Sequence, residues 1–399
     1  MIVLCICGEP DSPAHPFRFL RWVEDFESAG LQCSWMTISE AVRHLPDVSK
    51  SEILFVWRAA WDSSVEAIVR AARSNRATVV FDADDIVIEP ALARIEVIDA
   101  IRTRHLPEAE VEHYFRRTLN TFEAADFASC STEEIAAFMR ARGKNTAVVP
   151  NGFNEPERER SQQAMRRRRE TPADGVVRIG YVAGSPSHQR DLAVVADALA
   201  SVMREQEHCR VVLFRGMVDL GEFPSLRRFS SHIEWRDFVS QHELPEEFAR
   251  LDVSIAPLEV GNSFCECKSE LKYVQAALAE VCTIASPTGP FRRAIRPAET
   301  GFLPVDVSSW TSTLRRLAND ADLRHRIGRA AYADVVSRYN PARRRQRIAE
   351  LVTVWTQRSV SNGLDSGDTD PPKPNHVPED RGTPATPPVK RRPRQELTT

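Results

Sequence analysis

Long apolar runs are absent from this sequence: none approaches the roughly 18–20 residues that a membrane-spanning helix needs. There is no excess of basic charge either, because the formal net charge is -3 and the pI is about 6.4. The composition therefore gives no argument for nucleic-acid binding. No Cys-x-x-Cys pair occurs among the eight cysteines, which argues against a zinc ribbon or a thioredoxin-like site. We expect reduced cysteines that serve as small buried hydrophobic residues.

The beginning of the sequence, MIVLCICGEP, is apolar but too short for a signal peptide, and no basic region precedes the apolar run. We interpret it as a first buried strand and expect a cytoplasmic protein. Basic clusters at residues 166–169 and 390–394 would allow peripheral contact with anionic lipid at the inner face of a membrane, although solvated surface charge explains them equally simply.

Strand-like and helix-like patterns alternate along most of the chain. Short continuous apolar runs such as IVLCIC (2–7), EILFVW (52–57) and TVVFD (78–82) are separated by amphipathic segments. Runs of this kind suit strands that helices cover on both faces. The alternation predicts parallel βαβ units and doubly wound sheets, that is, an α/β fold with Rossmann-like domains.

The pattern is interrupted once, which predicts two α/β domains. We place the first domain at residues 1–150 and the second at 176–340. The segment between them, 151–175, is highly charged, shows no apolar face and is interpreted as a linker. Residues 341–358 form a last helix that we expect to cross back to the first domain, with Pro341 in its first turn. The tail, 359–399, is rich in Pro, Gly, Ser, Thr and charge, and is predicted to be disordered.

The stretch YVAGSPSHQRD (181–191) places a glycine and two serines between a buried strand and the start of a helix. Ligands of open parallel sheets bind beyond the carboxyl ends of the strands, and a helix start there favours an anion such as phosphate. His188 and Arg190 could add hydrogen-bond donors to that phosphate. An ordinary strand-to-helix turn capped by Ser187 or Asp191 remains the alternative.

A second loop and helix, EVGNSFCECKSELKYVQAALAEV (259–281), carries two lysines at helical spacing. Lys268, Lys272 and Gln275 share one side of the predicted helix, opposite its apolar positions. One interpretation is a surface helix with a network of alternating charges. The other is that the lysines neutralise a diphosphate while Glu270 or Gln275 hydrogen-bonds sugar hydroxyls.

The motif FDADD (81–85) ends a predicted strand and raises the question of a metal site, because Asp-x-Asp can bind Mn²⁺ or Mg²⁺. We favour a structural or acceptor-facing role instead and predict no metal. Arg18 and Arg58 also follow predicted strands, so both are expected to point into a cleft between the domains. Surface salt bridges are the competing explanation for each.

Taken together, these motifs resemble the GT-B glycosyltransferases, and more narrowly the large retaining family of bacterial polysaccharide and lipopolysaccharide glycosyltransferases (glycosyl transferases group 1). The resemblance covers about residues 1–350. It rests on IGYVAGSPSHQRDL, ECKSELKYVQAALAEVCTIASPTGPFRRAI and ETGFL in the second half. In the first half it rests on DSPAHPFRFLRWVEDFESAG, VVFDADDIV and VVPNGFN.

The resemblance implies a glycosyltransferase that moves a sugar from a nucleotide-sugar to a glycan or lipid-linked acceptor in surface polysaccharide synthesis. It also implies retention of configuration, no metal and no other cofactor. The departing diphosphate would be stabilised by Arg190, Lys268 and Lys272. Donor binding would further involve Gly184, Ser185, His188, Asn262, Glu270, Gln275 and Thr288, and the acceptor side would include Arg18 and Arg58.

The sequence departs from the family at one informative place. The family has two glutamates separated by seven residues across this loop and helix, and the second one binds the nucleotide ribose. Here Gln275 takes the second position and Cys267 the first, with Glu266 one place away. A glutamine can still hydrogen-bond a ribose but has no charge. Two alternatives therefore stay open: a nucleotide-sugar 2-epimerase of the same architecture, which would release free isomerised sugar, and a module that binds nucleotide-sugar or glycan without turnover.

Overall fold

The computed structural model describes residues 1–362, with side chains as far as residue 357. Residues 363–399, which hold most of the predicted tail, lie outside the described part of the chain. Two separate sheets are present. Every pair of neighbouring strands in both sheets is parallel. The predicted pair of doubly wound α/β halves is therefore confirmed.

The first sheet has six strands in the order β2-β1-β3-β4-β5-β6. Its strands are β1 (Ile2–Cys7), β2 (Gln32–Thr37), β3 (Ile53–Trp57), β4 (Thr78–Ala83), β5 (Phe127–Cys130) and β6 (Thr146–Val148). The helices that cover it are α1 (Leu20–Ser28), α2 (Ile38–Arg43), α3 (Leu45–Val48), α4 (Ser63–Arg73), α5 (Asp99–Thr103), α6 (Glu108–Ala124) and α7 (Glu133–Ala141). A short π-helical turn, His15–Phe19, leads into α1.

The second sheet has five strands in the order β11-β10-β7-β8-β9. They are β7 (Val177–Gly180), β8 (Cys209–Phe214), β9 (Ile233–Arg236), β10 (Val253–Ala256) and β11 (Cys282–Ala285). The remaining helices are α8 (Glu155–Glu170), α9 (Gln189–Glu205), α10 (Pro224–Arg227), α11 (Leu244–Ala249), α12 (Ser263–Glu266), α13 (Leu271–Leu278), α14 (Gly289–Ala294), α15 (Val307–Asn319), α16 (Ala321–Arg338) and α17 (Pro341–Asn362).

Several strands are buried along their whole length, which explains why their sequences are apolar without alternation. Every residue of the inner strands β3, β4, β5 and β10 is buried, and so is every residue of the edge strand β11, as expected for strands covered by helices on both faces. The cysteines fit the same pattern. All eight are free thiols, and all except Cys33 are buried. No helix within residues 1–362 is long and apolar enough to cross a membrane.

The last helix, α17, packs against the first domain although it follows the second domain in the chain. Its Ile348, Leu351, Val352 and Trp355 join the core that lies between the first sheet and α1. The Trp355 ring lies 6.2 Å from that of Trp22. Residue Pro341, predicted in the first turn, is the first residue of the helix.

The segment 151–175, interpreted from the sequence as a linker, is mostly helix. Helix α8 buries Ala164 and Met165 and packs against α11. Three of the four arginines at 166–169, namely Arg167, Arg168 and Arg169, form ion pairs with residues of the second domain. Arg168 donates to the carbonyls of Ala249 and Leu251 at 2.7 and 2.9 Å, and Arg169 pairs with Glu280 at 2.7 Å. The charged residues that led to the linker interpretation thus bind α8 to the second domain.

Candidate functional site

The two sheets bring the carboxyl ends of their strands to a common cleft, and side chains cross it in several places. Asp85, just after β4, pairs with Lys268, which lies between α12 and α13, at 2.8 Å. Thr132, after β5, donates to the carbonyl of Cys267 at 3.2 Å. Asn262 donates to the carbonyl of Val97 at 2.9 Å. Because ligands of open parallel sheets bind at this edge, the cleft is the candidate site.

The start of α9 forms one wall of the site. Tyr181 follows β7 and donates to the carbonyl of His188 at 3.1 Å. The His188 Nδ1 atom lies 2.8 Å from a carboxylate oxygen of Asp191. Burial lowers the pKa of His188 below its usual value of 6.5, against the opposing effect of Asp191. The imidazole is therefore neutral at pH 7 and can offer hydrogen bonds but no net charge.

The backbone N–H groups at the start of α9 already have an acceptor from the first domain. Asp99 accepts from the N–H groups of Gln189 and Arg190 at 2.7 and 3.1 Å. The guanidinium of Arg190 donates to the carbonyls of Glu96 and Ile95 at 2.7 and 3.0 Å. The predicted phosphate-binding turn thus lies at the cleft, and acceptors of the first domain already occupy its hydrogen-bond donors.

Lys268 lies deep in the same cleft. Its ammonium is 4.3 Å from the centre of the Phe264 ring and 2.8 Å from Asp85. Burial disfavours the charged lysine, but the negative charge of Asp85 outweighs it and raises the Lys268 pKa. The pKa of Asp85 is in turn lowered, despite burial, by Lys268 and Arg58. Lys268 therefore remains a cation at every physiological pH.

Lys272, one turn further on, is in a different situation. Its ammonium lies 6.0 Å from the centre of the Tyr181 ring, and among the described residues it has no hydrogen bond or ion pair. Burial, together with the nearby Lys268 charge, lowers the Lys272 pKa, while Asp191 opposes the shift. Lys272 is half-buried, and a partly desolvated cation without a partner is costly. An anionic ligand would relieve that cost.

Several predicted donor-binding residues have structural partners instead. Glu270 accepts from the Tyr339 hydroxyl at 2.7 Å on the side of α16, and burial raises its pKa. Asn262 caps α12 by accepting from the N–H of Phe264 at 3.0 Å. Thr288 precedes α14 with its side chain fully buried. The Asn262 side chain also donates to the first domain, and the buried Thr288 hydroxyl has no hydrogen-bond partner among the described residues. The assignment of these three residues to donor binding stays a prediction, which this arrangement does not favour.

Three other predicted donor residues stay accessible to the site. Gln275 is half-buried and makes no side-chain hydrogen bond within the described residues. Ser185 hydrogen-bonds the hydroxyl of Ser187. Gly184 is exposed, and a Cβ built on it would meet no atom within 4 Å. The space beside the turn after β7 is therefore open.

The first of the family's two glutamates has no counterpart in the cleft among the described residues. Glu266, the nearest acid in sequence, accepts from the N–H groups of Gly261 and Gly289 at 2.9 and 3.2 Å. It therefore joins the loop before α12 to the start of α14. Cys267, at the expected position, is a buried thiol whose pKa burial raises to about 12. No charge replaces the missing acid at this point.

Arg18, predicted at the acceptor side, is a core residue. Its side chain is fully buried and forms a two-pronged ion pair with Asp82 at 2.8 and 2.6 Å. It also donates to the carbonyl of Val149 at 2.5 Å and to Asn151 at 3.2 Å. An acceptor cannot reach the Arg18 side chain, because it is fully buried. The side chain instead joins the first sheet to the chain that leads to the second domain.

Arg58 does end β3 at the cleft, as predicted, but three acids hold it. It pairs with Asp84 at 2.8 Å, Asp85 at 2.7 Å and Glu9 at 3.3 Å. Its backbone is in the left-handed region, with φ at +46°. Such strain in a residue other than glycine marks a position that the surrounding structure over-determines, often at a functional site.

The acids of FDADD are occupied by bases, since Asp82 binds Arg18, Asp84 binds Arg58 and Asp85 binds Lys268. A different group holds ligand atoms within 4.8 Å of one another: Asp191, Glu259 and Cys265. Asp191 already accepts from the Cys265 thiol at 3.4 Å. The residue that sequence reasoning missed is Asp99. Asp85 is singled out within FDADD, but neither spacing nor periodicity reveals that it pairs with Lys268.

Comparison with known proteins bears on the family of the second domain and on the fold of the chain. Residues 176–320 match the sequence model of the family described as Glycosyl transferases group 1. A search of curated proteins gave no match. The resemblance stated from the sequence is nevertheless confirmed, because the second domain carries this family match and 88–91% of the chain aligns with solved structures of the same architecture.

Three solved structures illustrate the match. HepE of Anabaena, in complex with UDP, aligns with a TM-score of 0.59 at 14% identity, covering 88% of this chain and 99% of HepE. Sucrose-phosphate synthase from Thermosynechococcus elongatus gives 0.58 at 14% identity, covering 91% and 100%. A glycosyltransferase from Rickettsia africae gives 0.54 at 12% identity, covering 90% and 99%. The GT-B fold is confirmed.

Proposed function

We propose that this GT-B glycosyltransferase, whose second domain is of the group 1 type, transfers a sugar from a UDP-sugar donor to a hydroxyl of a glycan or lipid-linked acceptor. The proposal of UDP draws on HepE, whose structures are described with UDP, with UDP and glucose, and with UDP-glucose. Synthesis of surface polysaccharide is the process that we propose for it.

The observation that carries the proposal is Lys272. It is a half-buried cation without a hydrogen bond or ion pair among the described residues, in the first turn of α13, close after Lys268 and near Tyr181 before the start of α9. A diphosphate supplies the negative charge that this region needs, and backbone N–H groups at a helix start are suitable donors to its oxygens. Lysine suits the position because its compact ammonium acts as a point charge toward phosphate.

In the proposed reaction, the bond between the anomeric carbon and the diphosphate oxygen breaks, and the electron pair leaves with the diphosphate. The oxygen of the acceptor hydroxyl forms the new bond to that carbon, and the hydroxyl proton passes to the departing diphosphate. Lys268, Lys272 and Arg190 would stabilise the charge that develops on the leaving group. Preorganised charges of this kind contribute several kcal/mol to catalysis. We propose that they do so without a metal and with retention of configuration, as the family resemblance implies.

Gln275 is proposed to bind the ribose hydroxyls from α13 through its amide. A neutral amide can both donate and accept, so the loss of the family's carboxylate does not remove ribose binding. It does weaken the interaction, since hydrogen bonds to charged groups are worth about 1.5–3 kcal/mol and neutral ones about 0.5–1.5 kcal/mol.

The test is UDP binding by titration calorimetry to the parent, Lys268→Ala and Lys272→Ala, each with Mg²⁺ and with a chelator. We expect each substitution to weaken binding by about tenfold to a hundredfold, because each removes a charge-assisted contact. Lys50→Ala is the matched control, since Lys50 is an exposed lysine far along the chain. If both variants stay folded and bind UDP like the parent, the lysines are only surface charges and the proposal is wrong.

A second candidate is binding without turnover, which the Gln275 departure favours. Incubation of the protein with UDP-glucose separates the possibilities. Glucose transferred to an acceptor supports the transferase. Free isomerised sugar would indicate a 2-epimerase, and tight UDP binding with unchanged UDP-glucose would indicate the binding module.

A further inference from the structure

We propose that two acids of the first domain, Asp99 and Asp85, are internal competitors of the donor diphosphate, so that the ligand-free cleft is held closed by groups that the nucleotide-sugar must displace. The inference rests on the proposed donor site. It adds a regulatory contact that favours the closed, empty state over an open state that can bind the donor.

Asp99 occupies the place that a phosphate oxygen would take at the start of α9. One carboxylate oxygen accepts from the N–H groups of Gln189 and Arg190 at 2.7 and 3.1 Å. The side chain is only 8% exposed. His188, which precedes the helix, contributes no capping hydrogen bond of its own. The helix start is therefore capped by an anion that belongs to the other domain, in the geometry that also binds phosphates.

Asp85 occupies Lys268, at the other side of the site, in the same way. Its carboxylate lies 2.8 Å from the Lys268 ammonium. Arg190, the third proposed diphosphate ligand, donates to two first-domain carbonyls, those of Glu96 and Ile95. Three groups proposed to bind one ligand thus all have acceptors from the first domain, while Lys272 alone has none within the described residues.

An ordinary interface between domains would not be expected to select these groups. The cleft provides the comparison, because a further ion pair crosses it. Glu134 on α7 binds Arg293 on α14 through both carboxylate oxygens, at 2.7 and 2.5 Å. That pair closes the cleft too, but none of its atoms belongs to a proposed phosphate ligand. Because the Arg293 side chain is 49% exposed, this ion pair contributes little to closure, and removing it takes away no competitor.

The effect of these contacts on donor affinity depends on the fraction of molecules in the open state. If the donor binds only when the acids have moved away, the apparent dissociation constant is the intrinsic one divided by the fraction of molecules in that state. Asn in place of Asp99 keeps the shape and one acceptor oxygen but removes the charge. Since acids at helix starts contribute modestly, up to about 2 kcal/mol in partly buried geometries, we expect UDP to bind about five- to thirtyfold more tightly to Asp99→Asn.

The experiment is calorimetric titration of UDP into the full-length parent, Asp99→Asn, Asp85→Asn and Glu134→Gln, with thermal unfolding of each to verify the fold. The proposal predicts tighter UDP binding for Asp99→Asn and Asp85→Asn, and binding within about twofold of the parent for Glu134→Gln. Asp85→Asn serves as the second variant should Asp99→Asn not fold.

Three results overturn the proposal. If the parent binds UDP and neither Asp variant binds more tightly, the acids are not competitors, although the donor site stands. If Glu134→Gln tightens binding as much as the Asp variants do, general loosening of the cleft is the cause. If neither the parent nor any variant binds UDP, the proposed function fails and this inference fails with it.

Discussion

The buried pair Arg18 and Asp82 gives a direct test of the difference between the sequence interpretation and the structure. As an acceptor-side residue, Arg18 would affect activity and leave stability unchanged. In the structure, its guanidinium makes two hydrogen bonds to Asp82 and one each to Val149 and Asn151. We therefore predict that Arg18→Met destabilises the first domain strongly.

The expected loss of unfolding free energy follows from the burial of the pair. Arg18 and Asp82 are both fully buried, and removing one partner leaves the other as an uncompensated charge, which costs about 3–5 kcal/mol. Asp82→Asn should cost a similar amount, because it leaves the guanidinium with a neutral partner. Arg18→Met combined with Asp82→Leu should cost clearly less than the two single changes added together, since no charge is then left unpaired.

The assay is urea unfolding followed by tryptophan fluorescence. Trp22, Trp57 and Trp355 lie in the core that Arg18 borders, and the Arg18 guanidinium is 5.6 Å from the centre of the Trp22 ring. The fluorescence therefore reports on this part of the protein. With a slope of about 1–3 kcal/mol per molar urea, the midpoint of a single variant should fall by roughly 1–5 M.

Two outcomes would refute the reasoning. One is a loss below about 1 kcal/mol for Arg18→Met, the range of an exposed ion pair. The other is unchanged stability with a raised Michaelis constant for the acceptor, which would return Arg18 to the acceptor side. Arg70→Met, on the exposed face of α4 with its partner Glu66, is the control for a surface pair.

Two further predictions concern protonation. Burial lowers the Lys272 pKa in the empty site, and a bound diphosphate would raise it again. UDP affinity should therefore be constant below the lowered pKa and fall as pH rises toward the Lys272 pKa of the complex. Titrations from about pH 7.5 to about pH 10 should show this loss in the parent but not in Lys272→Met. Because burial raises the Glu270 pKa above its usual value of 4.5, its ionised form destabilises the native state at neutral pH. Glu270→Gln should therefore unfold at higher temperature than the parent at pH 7, with a difference that disappears as pH falls to about 4.5, and should bind UDP normally; weaker UDP binding would restore Glu270 to the donor site.

The sheets could be predicted because a parallel strand covered on both faces must be apolar throughout, and this pattern is local. Helix α8 could not, since only a narrow apolar side, with Ala164 and Met165, is buried. Its remaining stabilisation comes from arginines that pair with residues about 80 positions later, such as Arg168 with Asp252. Ion pairs between distant segments leave no periodicity in the sequence.

The same distinction applies to the site. The turn before α9 and the lysines of the second loop were predictable, because helix starts and repeated charges are local features. The directions of Glu270 and Asn262 were not, since the predicted loop contains a short helix of its own, α12, and the predicted helix begins only at Leu271. Glu270 therefore precedes α13 and binds Tyr339, while Asn262 is the cap of α12.

The acids proposed as competitors each keep an arginine of their own domain, which bears on whether they can yield to a ligand. Asp85 lies 2.7 Å from Arg58, and Asp99 lies 2.9 Å from Arg102. When the cleft opens, neither carboxylate is left without a positive partner, so the large cost of an unpaired charge does not arise. Lys268 and the start of α9 lose their acceptors at the same moment, and these are the groups that the diphosphate would take up. The exchange replaces carboxylate oxygens by phosphate oxygens on the same donors, so a donor ligand with modest net affinity is enough to shift the equilibrium toward the occupied state.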